Sequence, residues 1–169
     1  MGLTFRKGTV ADAENLITFL ERVRAEMKNP EWFYLDPPDL VREMLEDGTM
    51  TLWLAEENHR IAAVFDILKP ALKDYNYGYD LNLQEDELLQ VVHMDTAAVH
   101  PDYRGRGLQG QMVRMAEQEL SGKGRRILLS TVHPENKYSL NNMLKQGYVI
   151  QKQVEKYGSR RYVLRKDVF

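Results

Sequence analysis

Two short stretches of this chain hold most of the residues that could do chemistry. In "VVHMD", His93 and Asp95 stand two residues apart, so on an extended strand they share one face. A carboxylate or an imidazole there could take a proton from an attacking nucleophile. A few residues on, "HPDYRGRGLQGQM" contains Gly105-Arg106-Gly107-Leu108-Gln109-Gly110, a formal match to G-x-G-x-x-G. Glycines let the backbone approach a ligand closely, and the free N–H groups at a helix start favour phosphate. Arg104 and Arg106 add positive charge beside them. The chemistry on offer is proton transfer next to an anion cradle.

The glycine run is not a dinucleotide fingerprint. That motif needs its first glycine at the strand end, in an early strand–helix unit, and an acid about 20 residues further on. Here "HPDYR" separates the strand from Gly105, and "LLSTVH" at the later position offers no carboxylate. No Gly-Lys-Ser/Thr follows, so a P-loop is excluded as well.

The elements that must carry these residues follow from pattern. "LTFRKG" reads as a first strand, and Thr9 caps a helix with Leu16, Leu20, Val23 and Met27 on one face. Asn29-Pro30 stops it. "DPPDLVREMLEDG" restarts a helix with Asp36 as N-cap and Gly48 at its end. "TMTLWLAE" and "RIAAVFDIL" flank Glu57-Asn58-His59 as a hairpin. Residues 69–82 form a long polar-aromatic loop, of the kind that is often functional.

Leu88 to Val99 is the longest strand candidate, apolar on both faces and therefore central. A helix from Leu108 through Met112, Met115 and Leu120 ends near Gly122 and Gly124. "RRILLSTV" is a buried strand, and Asn136 to Gln146 a short helix closed by Gly147. A final hairpin turns at Gly158-Ser159. The expectation is a mixed αβ fold in a single domain, residues 1–169.

Composition narrows the class. Of the 169 residues 43% are hydrophobic and 28% charged, a globular balance. A net charge of -2 gives no basic field for nucleic acid. There are no cysteines, which excludes disulfides, a thiolate nucleophile and Cys-ligated zinc, and the four histidines show no metal spacing. No run reaches the ~18 apolar residues of a membrane span, and the N-terminus lacks a signal-peptide core. Met1-Gly2 starts like a myristoylation signal, but Arg6 stands where Ser or Thr is required. A cytoplasmic protein without metal, membrane or nucleic-acid partner is expected.

With its long strand followed by "AAVHPDYRGRGLQGQMVRMAEQEL", the chain resembles the GNAT superfamily of N-acetyltransferases, whose signature is Gln/Arg-x-x-Gly-x-Gly/Ala between the fourth strand and third helix. "HPENKYSLNNMLKQGY" is similar to the family's Asn-x-x-Ser/Ala helix followed by Gly-Phe/Tyr, and the element order agrees from Leu3 to Phe169. The resemblance implies a central, mostly antiparallel mixed sheet of six or seven strands with about four helices. It implies acetyl-CoA as co-substrate, no metal, and direct acetyl transfer to an amine. By position, Ala97, Ala98 and Val99 would bond the pantetheine arm where the fourth strand splays. Arg104, Gly105, Arg106, Gly107, Leu108, Gln109 and Gly110 would cradle the pyrophosphate, and Asn136, assisted by Ser139, the later pantetheine. Gln109 departs from the signature's final Gly/Ala, and Gly110 follows it.

Acetyl transfer needs a neutral amine and a stabilised oxyanion. An alkyl amine of pKa near ~10.4 is mostly charged at neutral pH, so a carboxylate or His must take its proton. Asp95 is the leading candidate and His93 the next, against the alternative that both hydrogen-bond within the core; Glu87 is a weaker option. His100 and His133 precede prolines and suit loop capping, and His59 sits in a hairpin turn. The family often carries a proton-donating tyrosine seven residues after the Asn, a position held here by Met143. Tyr148 and Tyr138 are near but out of register.

In the family the first two helices and their loop line the acceptor pocket. That loop here is "NPEWFYLDPP", with Trp32, Phe33 and Tyr34 beside Glu31 and Asp36, which would suit a small cation. Tyr75, Tyr77 and Tyr79 could wall the site, or their loop could be a lid or a homodimer contact. A small-metabolite amine is the leading acceptor. A protein or peptide amine and a non-enzymatic acyl-CoA sensor are the alternatives, the sensor favoured by Met143 and Gln109.

Overall fold

The computed structural model describes residues 2–169; Met1 of the Met1-Gly2 start lies outside the described residues. In chain order the elements are β1 (Thr4–Lys7), α1 (Ala13–Ala25), α2 (Pro38–Asp47), β2 (Met50–Glu57), β3 (Arg60–Leu68), α3 (Glu85–Leu88), β4 (Val91–Val99), α4 (Leu108–Leu120), β5 (Arg126–Val132), α5 (Lys137–Lys145), β6 (Val149–Lys156) and β7 (Ser159–Val168). The strands hydrogen-bond in the order β1-β2-β3-β4-β5-β7-β6. The mixed, mostly antiparallel seven-stranded sheet is the one expected, with five helices where about four were expected. By internal contact the chain forms two compact units, and β4 passes from one to the other between Asp95 and Thr96.

The first unit holds the residues up to Ile67 together with Thr96–Val113. β1 runs antiparallel to β2, from Thr4↔Glu56 to Lys7↔Trp53. Arg6 ties this edge down, with one guanidinium nitrogen 2.8 Å from both Asp12 and Glu56. Thr9 and Asp12 form a capping box, but it starts a 3-10 turn over Val10–Asp12 that leads into α1 at Ala13. α1 buries Leu16, Leu20 and Val23 of the stripe that periodicity foretells and adds Phe19, while Met27 lies past its end. Each such leucine contributes roughly 1.5–3 kcal/mol relative to exposure. The β2–β3 hairpin turns through Asn58 and His59, both left-handed (φ 51 and 63), the twist that two-residue hairpins require.

Asp36 corrects the sequence reading of α2. The N-cap position belongs to Pro37, Pro38 is the first helical residue, and no side-chain cap forms. An Asp caps by accepting backbone N–H groups, and two prolines in succession remove the nearest donors.

The second unit comprises Leu68–Asp95 and Arg114–Phe169. Here β4 begins at Val91, three residues later than expected. A capping box of Gln84 and Glu87 starts the short helix α3, which takes Leu88 out of the strand. β4 and β5 are parallel over Val91↔Ile127, Val92↔Leu128 and His93↔Leu129, and their ladder ends there. β7 pairs antiparallel with β5 along its whole length, from Arg126↔Val168 to Val132↔Tyr162. The last hairpin turns at Tyr157 and Gly158 (φ 57 and 77), one residue earlier than the sequence suggests, and carries a bulge between Ile150 and Lys152.

Candidate active site

Three features could do chemistry, two in the first unit and one in the second. The first is the glycine loop. After β4, the His100 N–H donates to the Ala62 carbonyl of β3, and the His100 ring accepts the Asp102 N–H at 3.1 Å. His100 thus has the loop-capping role expected of it. A 3-10 turn over Pro101–Tyr103 leads into the exposed Arg104–Gly107 segment. The Arg106 guanidinium lies 4.8 Å over the Tyr103 ring.

Gly105 and Gly107 are both left-handed (φ 77 and 70), conformations that other residues adopt only with strain. A Cβ on either would meet nothing within 4 Å, so the space above the loop is open. The Gly107 carbonyl accepts the Gln111 N–H as α4 begins, so Leu108, Gln109 and Gly110 form its first turn. Those first-turn N–H groups have no partner within the helix, and the dipole makes them positive. An open loop, a helix of 13 residues and two exposed arginines fit a pyrophosphate. Ala97, Ala98 and Val99 end β4 beyond the last β4–β5 pair.

The second feature is a cavity of about 260 Å³. Leu16, Leu20, Leu35, Val41 and Met50 give it apolar walls, and Asp36, Asp66 and Thr96 are its polar lining, with Glu21 and Arg24 also contributing. Asp66 is 1% exposed, and one carboxylate oxygen accepts the Thr96 N–H at 3.3 Å. The Asp36 carboxylate makes no hydrogen bond or ion pair among the described residues, and burial raises its pKa above the usual value. The Arg24 Nε donates to the Phe33 carbonyl at 2.9 Å. Trp32, Phe33 and Tyr34, expected at the acceptor pocket, are not among its lining; the residues just after them are. Asp66 stands in an apolar strand with no motif around it, and no sequence signal singled it out.

In the second unit, Tyr77 gathers the polar residues of β4. Its N–H donates to His93 Nε2 at 3.0 Å, and its ring stacks on the imidazole with centroids 3.7 Å apart. Its hydroxyl donates to Asp95 at 3.3 Å and lies 2.7 Å from the Tyr157 hydroxyl. The Lys156 ammonium stands 5.3 Å above the Tyr77 ring and 3.0 Å from Asp80. Burial first, then the Asp95 charge, pushes the Tyr77 hydroxyl well above its ordinary pKa, so it stays protonated.

His93, 1% exposed, is pushed down to about 3 by burial and then by the Lys156 charge. Its Nε2 lone pair is occupied, so the neutral ring carries its hydrogen on Nδ1. This corrects the reading of His93 as a proton acceptor. Asp95 is only partly buried, unlike His93 on the same face. The sequence reading proposed Tyr77 as a wall of the site, and the structure turns it inward; Tyr157 went unremarked.

Of the remaining candidates, Asn136 caps α5 by accepting the Ser139 N–H at 3.3 Å. His133 accepts the Glu135 N–H in the turn before it. Tyr148 is 2% exposed and donates its hydroxyl to Glu117 at 2.8 Å, and burial with that neighbouring charge raises its pKa. Tyr148, near the family's tyrosine position but out of register, is thereby corrected as a proton donor: its hydrogen is committed to the half-buried Glu117 carboxylate. Tyr138 is exposed, and Met143 is buried in the α5 face. Glu87 is spent on its capping box.

Compared with known families, residues 20–148 match the model of the acetyltransferase (GNAT) family. The chain belongs to that family. As a GNAT protein it is an acetyltransferase, an enzyme of acetyl-CoA-dependent acetyl transfer. Among curated protein sequences nothing matches it. Solved structures share the GNAT fold along the whole chain. A GNAT-family acetyltransferase from Streptococcus pneumoniae is 21% identical, with 99% of each chain covered and a TM-score of 0.73. The putative acetyltransferase yncA from Salmonella typhimurium, solved with its cofactor acetyl-CoA, is 14% identical, with 99% and 94% covered and a TM-score of 0.71. NAA60 from Arabidopsis thaliana, in complex with a bisubstrate analogue, is 15% identical, with 98% of each covered and a TM-score of 0.73.

Proposed function

We propose that this GNAT enzyme acetylates the amine of a small, cationic metabolite. The cavity carries this reading. Its volume of about 260 Å³ lies just below the range of drug-sized ligand pockets. Its acidic lining is Glu21, Asp36 and the buried Asp66, against the single guanidinium of Arg24. That balance attracts an amine and repels an anion.

In this scheme the Gly105–Gly110 loop and Arg104 bind the pyrophosphate of acetyl-CoA, and Ala97–Val99 offer backbone groups to the pantetheine arm and the thioester oxygen. Asn136 and Ser139 hold the later pantetheine. Asp95, fixed by the Tyr77 hydroxyl, takes the proton of the acceptor ammonium, directly or through water. The neutral nitrogen attacks the thioester carbonyl, the C–N bond forms, the C–S bond breaks, and the nitrogen's second proton passes to the departing thiolate, directly or through water. A thiol of pKa near ~8.5 leaves with little need of a side-chain acid, which fits Met143 at the family's tyrosine position.

Acetylation of a protein or peptide amine is the second reading, favoured by the likeness to the NatC complex bound to Gag peptide and CoA, 13% identical with a TM-score of 0.71. A thiol-release assay with acetyl-CoA separates the two. We expect turnover with short alkyl amines and little with peptide N-termini. Turnover confined to peptides would discard the small-amine reading.

A further inference from the structure

We infer that the acceptor carries a second cationic group and that Asp36 holds it. The inference rests on the reading of the cavity as an amine-acceptor site and names the substrate class. Asp36 lines the cavity, and its carboxylate has neither a hydrogen bond nor an ion pair among the described residues. The cause is local. Pro37 and Pro38 follow it without an N–H, Pro37 takes the N-cap position, and no side chain caps the helix start.

A carboxylate drawn partly out of water without a partner costs folding stability, and nothing in the fold recovers that cost. Arg24, the one cation in the lining, directs its Nε to the Phe33 carbonyl and makes no ion pair with Asp36. A cationic ligand would supply what Asp36 lacks. That ligand group is not the nitrogen that reacts. Pairing an ammonium with a carboxylate raises its pKa and keeps it charged, whereas the attacking nitrogen must be neutral. A carboxylate reserved for binding therefore suits a distal ammonium that stays charged throughout.

The walls describe the rest of the molecule. Leu16, Leu20, Leu35, Val41 and Met50 offer no hydrogen bonds and match a methylene spacer. At about 260 Å³ the cavity is smaller than a drug-sized pocket and suits a short chain. A short α,ω-diaminoalkane has this size, charge and apolar middle.

Calorimetry on the CoA-loaded protein tests this with 1,5-diaminopentane and with pentylamine, which has the same spacer and one ammonium. We expect the diamine to bind at least tenfold more tightly, and Asp36→Asn to abolish that preference. A folded Asp36→Asn variant should keep its CoA affinity and melt higher than wild type, because an unpartnered charge is gone. Equal affinities in wild type, a diamine preference that survives Asp36→Asn, or no binding of either amine would each overturn the inference. If the diamine binds through Asp36 but releases no thiol from acetyl-CoA, the second-cation site stands and the acceptor reading fails alone.

Discussion

The cavity of the first unit and the Tyr77 cluster of the second both bury ionisable groups, and they treat them in opposite ways. Around Tyr77 the polar groups are paired within the cluster. The backbone N–H meets His93, the hydroxyl meets Asp95 and Tyr157, and Asp80 meets Lys156. In the cavity, Asp36 is left without a partner between apolar walls and two prolines. A satisfied network fixes geometry and needs no ligand; an unsatisfied carboxylate facing an open volume is half of a binding interaction. The Tyr77 cluster holds the Asp95 carboxylate, and the cavity leaves the Asp36 carboxylate open to a ligand.

The largest effect should come from the group that the satisfied network orients. Asp95→Asn keeps the shape and removes the base, so turnover should fall by ~10²-fold or more while CoA affinity stays within about twofold. A variant that melts earlier yet turns over normally would make Asp95 a core polar residue. Next comes Gly107→Val. It forces a β-branched residue to φ 70 and puts a side chain where the pyrophosphate must approach, which should cost at least tenfold in CoA affinity by calorimetry.

Smaller losses should follow from deleting single hydroxyls. Tyr77→Phe removes one donor from Asp95 and should lower kcat by about tenfold. Tyr148→Phe and Tyr138→Phe should retain turnover within about tenfold, below the 10²–10⁴ of a true proton donor. A loss of several hundredfold in Tyr148→Phe with CoA binding intact would restore it as the acid.

The smallest effects are those of pH on stability, where the two regions should differ in sign. His93 is depressed to about 3 from 6.5, so the folded state binds fewer protons than the unfolded chain between those values. Its contribution is complete above about 6.5 and is lost as pH falls toward 3. Asp36 is raised, so its contribution is present below the unfolded carboxylate pKa and is lost as pH rises through its folded value. Thermal melts of His93→Gln and Asp36→Asn against wild type should flatten the acid limb in the first and raise stability at neutral pH in the second.

Much of this was legible in the sequence because it is local. The long apolar run of β4, the apolar stripe of α1 and the glycines before α4 are short-range patterns, and each fixed an element or a loop. The glycine run with its arginines marked the loop before α4, and the family resemblance gave it the reading of an anion cradle. The errors arose where long-range packing decides. His93 and Asp95 share a strand face, but only the fold brings Tyr77 from the long loop to claim the imidazole. Tyr157 reaches the same cluster from a hairpin turn 80 residues away in sequence. Asp36 looked like an N-cap because the residue type is right, and the prolines that deny it that role stood in plain view. Asp66 is silent in sequence because its neighbours in the cavity come from four other elements.

The central claim is that this GNAT protein uses acetyl-CoA to acetylate a small amine. The most direct test is continuous thiol release from acetyl-CoA by the purified protein, run in parallel with 1,5-diaminopentane, pentylamine and a set of peptide N-termini. The account predicts saturable release with the alkyl amines, highest kcat/KM for the diamine, and loss of turnover in Asp95→Asn. Tight CoA binding with no release from either alkyl amine, or release only with the peptides, would contradict it.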